Sequence, residues 1–150
     1  MTYGLFLLTA KDDRDNGCII NTAFQVAIEP FRIAISVQNN NFTKEIIEKK
    51  GEFNISVLDK NVPFETIRHF GMQTGREIDK FSNFSDVKRS FNGLLYLTEN
   101  ANSFFSAKVQ NKIDLGSHTM FIAEVTEAQV LSKEQSCTYS HYHKEIKPKL

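Results

Sequence analysis

Tryptophan is absent from this 150-residue chain, and cysteine and proline are scarce, at two and three. The two cysteines, Cys18 and Cys137, are far apart and fit no C-x-x-C spacing. That excludes a disulfide framework and a cysteine-based zinc site, and reduced thiols are expected. Excess charge of either sign is also missing, because 18 basic and 18 acidic side chains cancel. No bulk field concentrates nucleic acid or anionic lipid, and an aromatic barrel binding single strands would need a basic groove that this composition does not supply. The apolar run Leu5 to Leu8 is too short to cross a bilayer and lacks the basic residues that precede a secretory signal, so a cytoplasmic protein is expected, with neither a membrane nor a nucleic-acid partner. There is no G-x-G-x-x-G after a strand, no P-loop and no G-x-S-x-G elbow, which argues against a Rossmann site and a serine-hydrolase site. His141 and His143 stand two apart with no Cys pair beside them, and no metal is expected.

What is present leans toward β structure. Thirteen Phe and four Tyr supply large apolar area suited to half-buried pleated surfaces. The length suits one domain over 1–150, with Lys144 to Leu150 as an exposed basic tail. Strands are expected at Tyr3–Lys11, Cys18–Glu29, Arg32–Val37, Phe53–Leu58, Leu94–Thr98, Ser103–Ile113 and His118–Leu131, with a turn at Asp12–Gly17. The last two strands form a hairpin through Asp-Leu-Gly-Ser, with Phe105, Ala107, Val109 and Ile113 on one face and Ser106, Lys108, Gln110 and Lys112 on the other. Thr43–Lys50 reads as a short helix closed by Gly51. A second helix is expected at Pro63–Phe70, with Phe64, Ile67 and Arg68 on one side and Gly71 at its end, and a helical turn at Arg76–Phe81. Many short strands with two or three short helices point to a small β-barrel.

Asn39, Asn40, Asn41 and Thr43 lie where a strand opens into a helix. Amides at a helix start point outward with the positive end of the dipole behind them, so a phosphate could settle there, although the residues by themselves read first as an ordinary loop whose Asn and Thr side chains cap a helix. Lys44, Arg76 or Lys80 would add positive charge. Asn21 and Thr22 read by themselves as polar strand positions satisfied by neighbouring backbone. His118 opens a strand after Gly116 and Ser117, a place for a structural imidazole or for one facing a cofactor.

Six stretches carry a family resemblance: GCIINTAFQV (Gly17–Val26), SVQNNNFT (Ser36–Thr43), GEFNISVL (Gly51–Leu58), HFGMQTGREIDKF (His69–Phe81), DLGSHTMFIAEV (Asp114–Val125) and CTYSHYHKEIKP (Cys137–Pro148). The chain resembles the flavin reductase-like family, the FMN-binding split barrels, and within it the flavin domains of rubredoxin fusions and related single-domain reductases. The resemblance implies a mainly β, Greek-key split β-barrel and a homodimer. It also implies an oxidoreductase that transfers a hydride from NAD(P)H to FMN and passes electrons to free flavin, ferric chelate, a separate rubredoxin-like protein or oxygen. A flavin-binding electron carrier without nicotinamide turnover is the alternative. By the same resemblance, Ser36, Asn39, Asn40 and Thr43 would contact the phosphate, with Arg76 and Lys80 as charge partners. Asn21, Thr22 and Ala23 would lie along the isoalloxazine, His118 beside the nicotinamide, and Tyr139, Tyr142 and His143 over the cofactor or across a dimer interface.

Overall fold

The structure is a computed structural model and describes residues 1–149. The chain runs through β1 (Phe6–Lys11), β2 (Asp15–Ile20), β3 (Ala23–Ala27), β4 (Arg32–Gln38), α1 (Phe42–Lys50), β5 (Glu52–Leu58) and α2 (Phe64–Gly71). It continues through β6 (Val87–Arg89), β7 (Leu95–Leu97), β8 (Ala101–Asp114), β9 (His118–Val130), α3 (Tyr139–His141) and a π-helical turn over Tyr142–Ile146.

Seven strands form one antiparallel sheet in the order β2-β1-β5-β8-β9-β4-β3, and β6 pairs with β7 in a second. β2 and β3 are therefore opposite edges, yet only Asn21 and Thr22 separate them in the chain. So short a link spans at most roughly 11 Å, whereas the edges of a flat sheet of this width would stand about 29 Å apart. The sheet has to curl until its edges meet. The Ser36 amide donates to the Thr22 carbonyl at 3.2 Å, which carries the β3–β4 pairing one residue past Ala23, and no β2–β3 ladder forms across the meeting line among the described residues. The result is a split barrel, mainly β, as the sequence leads one to expect.

The barrel interior is filled by Leu8, Ile33, Ile35, Phe53 and Phe121, and α1 adds Ile46 and Ile47. A second apolar cluster, including Leu7, Leu58, Ile67, Phe70 and Tyr142, packs α2 and the C-terminal segment onto the outside. The β6–β7 hairpin covers β5 and β8: Tyr96 stacks on Phe104 at 3.9 Å, and Asn54 Nδ2 donates to Ser90 Oγ at 2.9 Å. Strand β8 is thus covered on both sides over its first half, which buries Ser106, a residue of its polar set.

Several boundaries differ from the sequence reading. The expected strand Cys18–Glu29 is two strands on opposite sheet edges, broken where Thr22 Oγ1 donates to Asn21 Oδ1 at 3.0 Å. The turn expected at Asp12–Gly17 ends by Arg14, because Asp15 pairs with Arg89 and Asn16 is buried, so both join β2. Arg76–Phe81 makes successive turns, not a helix: the Glu77 and Ile78 amides both bond to Thr74 O, and Ser82 to Asp79 O. On α2 the buried face is Ile67 and Phe70, while Arg68 turns outward to Glu65. The tail shortens to Lys147 onward, because Ile146 packs on the second cluster and the Lys147 amide bonds to Tyr142 O. Leu150 lies outside the described residues. No described helix is long and apolar enough to cross a membrane.

Candidate functional site

The line where the barrel is split is also where it is open. A cleft of about 340 Å³ lies between the end of β2 (Cys18 to Asn21) and the end of β4 (Ser36 to Gln38), with Phe70, Gly71, Gln73, Lys80, His118 and Tyr139 completing its walls. It continues into a second hollow of about 310 Å³ bordered by Asn16, Asn40, Phe42, Thr43 and Gly75. Asn41, Gly71, Gln73 and Lys80 belong to both. Each hollow lies within the range usual for small-molecule sites.

Local chemistry explains how these walls are held. Asn41 is the N-cap of α1, and its Oδ1 accepts from the Thr43 amide at 2.8 Å and the Lys44 amide at 3.4 Å. Two of the outward-pointing amides expected to meet an anion are therefore satisfied internally, whereas those of Asn40 and Phe42 find no acceptor among the described residues. Thr43 is buried and its hydroxyl accepts from Asn16 Nδ2 at 2.8 Å. Gly75 makes that arrangement possible, because a Cβ there would fall 2.0 Å from Asn16 Oδ1. Gly71 likewise lets α2 approach β2, where a Cβ would meet Ile19 at 3.2 Å.

The charge is concentrated at Lys80. Its side chain is 3% exposed, and its ammonium donates to Gly17 O and Phe70 O, each at 2.8 Å. No described carboxylate pairs with it, and an ammonium has three donors, so one remains at the junction of the two hollows. Burial lowers its pKa from the ordinary 10.5, an effect partly offset by Cys18. Burial raises the Cys18 thiol from its ordinary 9.0, and pushes Cys137 up to about 11, so these free thiols stay protonated and are poor nucleophiles near neutral pH.

Of the residues singled out from the sequence, Asn21, Ser36, Lys80 and His118 line the first hollow, and Asn40, Thr43 and Lys80 the second. His118 stands at the rim with Nδ1 2.7 Å from Ser117 Oγ. Thr22 and Ala23 do not line the cleft; Thr22 braces Ser36 through its carbonyl and Ala23 packs on the barrel core. Asn39 is occupied elsewhere, donating to Gly116 O at 2.6 Å and accepting from Thr119 Oγ1 at 2.5 Å. Arg76 lies outside, paired with Glu45 and 4.9 Å above the Phe42 ring. Tyr139 lines the cleft with His143 edge-on at 4.4 Å, while Tyr142 is buried in the second cluster. Gln38 and Gln73 line the cleft without having been singled out, since a lone Gln carries no spacing signal; Gln73 does fall within HFGMQTGREIDKF.

A family model for the flavin reductase like domain matches residues 1–148. The chain is 42% identical over 144 residues to the high molecular weight rubredoxin of Moorella thermoacetica, covering 95% of this chain and 62% of that protein. It is 34% identical over 144 residues to the ferric-chelate reductase (NAD(P)H) of Archaeoglobus fulgidus, covering 95% of this chain and 85% of that protein. The fold superposes on the NADH:FAD oxidoreductase SgcE6 of Streptomyces globisporus with a TM-score of 0.83 at 19% identity, covering 94% of this chain and 83% of that one. Family match, sequence identity and barrel agree over nearly the whole length, and the chain belongs to the flavin reductase-like family.

Proposed function

We propose that the chain is an FMN-dependent oxidoreductase that draws reducing equivalents from NAD(P)H and delivers them to a separate acceptor: free flavin, ferric chelate, a rubredoxin-like protein or oxygen. The observation carrying this reading is Lys80, a buried cation without a carboxylate at the junction of an open cleft. Keeping an ammonium out of water is costly unless a counter-charge arrives, and a phosphomonoester supplies one. FMN fits these residues: phosphate toward Lys80 and the free amides of Asn40 and Phe42, ring toward Asn21, Ser36 and His118.

When bound, the flavin supplies the electron chemistry, which leaves the protein to bind, orient and tune. The Ser36 hydroxyl, free of partners among the described residues, is available to a polar ring edge. His118 at the rim orients a nicotinamide, a positioning task that needs no nucleophile. The decisive experiment is titration of the protein with FMN followed by anaerobic stopped-flow reduction with NADH and with NADPH. Saturable binding and rapid bleaching by at least one nucleotide are expected. Binding without reduction by either identifies an electron carrier, and failure to take up FMN overturns the reading. His118→Ala is expected to slow nicotinamide-dependent reduction by roughly tenfold, the scale of a lost polar contact, with FMN affinity unchanged.

A second copy of the chain completes the proposal. By register, Phe24, Ala34 and Ile122 share the outer face of β3, β4 and β9, next to Ser36, Met120 and Ile113; the register shift between Val109 and Asn111 carries Ile113 here, away from the face of Phe105, Ala107 and Val109 on which strict alternation would put it. Phe24, on the edge strand β3, is 48% exposed, and Ile28, in the turn that follows β3, is 82% exposed. An apolar edge of this kind calls for a partner, and a symmetric one would place the cleft beside a dimer interface. Phe24→Glu is expected to weaken self-association by roughly 30-fold, the scale of a hot-spot loss, as read by sedimentation equilibrium. An unchanged sedimentation profile counts against this face as the interface. The two free thiols suit a cytoplasmic, reducing setting.

A further inference from the structure

Behind the cleft wall lies a polar relay centred on His69, a residue that touches neither hollow. Its ring packs edge-on against Phe70 at 4.8 Å and parallel to Phe84 at 6.0 Å. Its Nε2 is 2.5 Å from the Lys80 main-chain carbonyl. A carbonyl only accepts, so Nε2 carries the proton, and in the neutral ring Nδ1 is then an acceptor. Gln73 Nε2 stands 3.3 Å from that Nδ1 and donates to His69 O at 3.0 Å. Both contacts need an N–H, so the amide group of Gln73 is turned inward and its Oε1 is left over. No described residue donates to that oxygen, and Gln73 borders both hollows.

We infer that His69 is a positioning residue that fixes Gln73 with its carboxamide oxygen toward the cleft, as the acceptor for the hydroxyls of a ribityl chain, while holding Lys80 in place through its carbonyl. This rests on the proposed flavin site. With the phosphate at Lys80 and the ring toward Ser36, a residue shared by both hollows meets the linker between ring and phosphate, and that linker carries hydroxyl donors. One imidazole thus sets the polarity of one contact and the place of another.

The test compares the dissociation constants of FMN, riboflavin and lumiflavin, which carry ring, ribityl chain and phosphate in decreasing measure. Gln73→Leu is expected to weaken FMN and riboflavin by the same factor of roughly ten and to leave lumiflavin unchanged. His69→Phe retains the aromatic packing and is expected to weaken riboflavin by a similar factor, with little further loss in the His69→Phe, Gln73→Leu double variant, because the two act through one contact. His69→Asn, whose Oδ1 replaces the Nδ1 acceptor, is expected to restore riboflavin affinity to within about twofold of the original. Independent, multiplying losses, or riboflavin affinity unchanged in His69→Phe, overturn the inference while the flavin site stands. If His69→Phe does not fold, Gln73→Leu decides alone, and undiminished riboflavin binding by it overturns the inference. A wild-type protein that binds none of the three ligands removes the proposed function, and this inference with it.

Discussion

Lys80→Met is expected to weaken FMN binding by roughly 10- to 150-fold, the range for losing a hydrogen bond to a charged group, while riboflavin binding changes little. Methionine fills most of the space of the lysine stem, so the variant removes charge and donors more than volume. Its cost for the empty protein is the loss of bonds to Gly17 O and Phe70 O, set against relief from a buried unpaired cation. The sign of the pH dependence follows from the same environment. Burial lowers the Lys80 pKa below the ordinary 10.5, so the ligand-free protein sheds this proton earlier than an exposed lysine does. Phosphate favours the charged form, so FMN affinity falls as alkaline pH strips the ammonium. Near pH 6 the phosphate gains its second charge, so affinity rises through about that value first. Fluorescence titration of FMN and riboflavin across pH 5 to 10 checks both limbs, and only the alkaline limb is lost in Lys80→Met. Equal losses for FMN and riboflavin would move the phosphate away from Lys80.

Phe70→Ala is expected to cost about 3 to 5 kcal/mol, the usual range for emptying an aromatic core site. The residue is fully buried and meets Phe81 and Phe84, each at a centroid distance of 5.0 Å, as well as His69. A loss of this size is a large share of the roughly 5 to 15 kcal/mol available to a domain. Chemical denaturation reads it directly as a lower midpoint with an unchanged slope. Because Phe70 also lines the cleft and lends its carbonyl to Lys80, the variant is expected to lose FMN affinity even where it remains folded. A midpoint shift worth less than about 1 kcal/mol would mean that the aromatic cluster collapses around the vacancy at little cost.

Local signals read well where one residue type has a single structural use. Asn41 and Gly51 bracket α1 as side-chain cap and left-handed terminator, the latter at φ 76°, and Asp-Leu-Gly-Ser closes the β8–β9 hairpin with Gly116 at φ 96°. The break at Asn21 and Thr22 was not legible, because those residues suit an extended chain and only the pairing of β4 with β3 and β9 shows that the two halves belong to different edges. Arg76 to Phe81 alternates charge and apolarity in a helical manner, yet tertiary bonds take over its backbone: Arg14 reaches Gly75 O at 2.6 Å and His69 reaches Lys80 O. At the cleft, the polar exit of β4 was readable as a place, but the source of its charge was not. Among three candidate cations, only the fold reveals that Lys44 and Arg76 are neutralised by Glu48 and Glu45 while Lys80 is taken inside.

The two-residue passage from β2 to β3 has a mechanical side. The two edges are held together there by chain connectivity, without a ladder between them among the described residues, so the rim resembles a cuff fastened at a single button. A molecule lodged against both margins would act as a second fastening, and amide exchange along 18–21 and 36–38 would slow on loading more than anywhere else in the sheet.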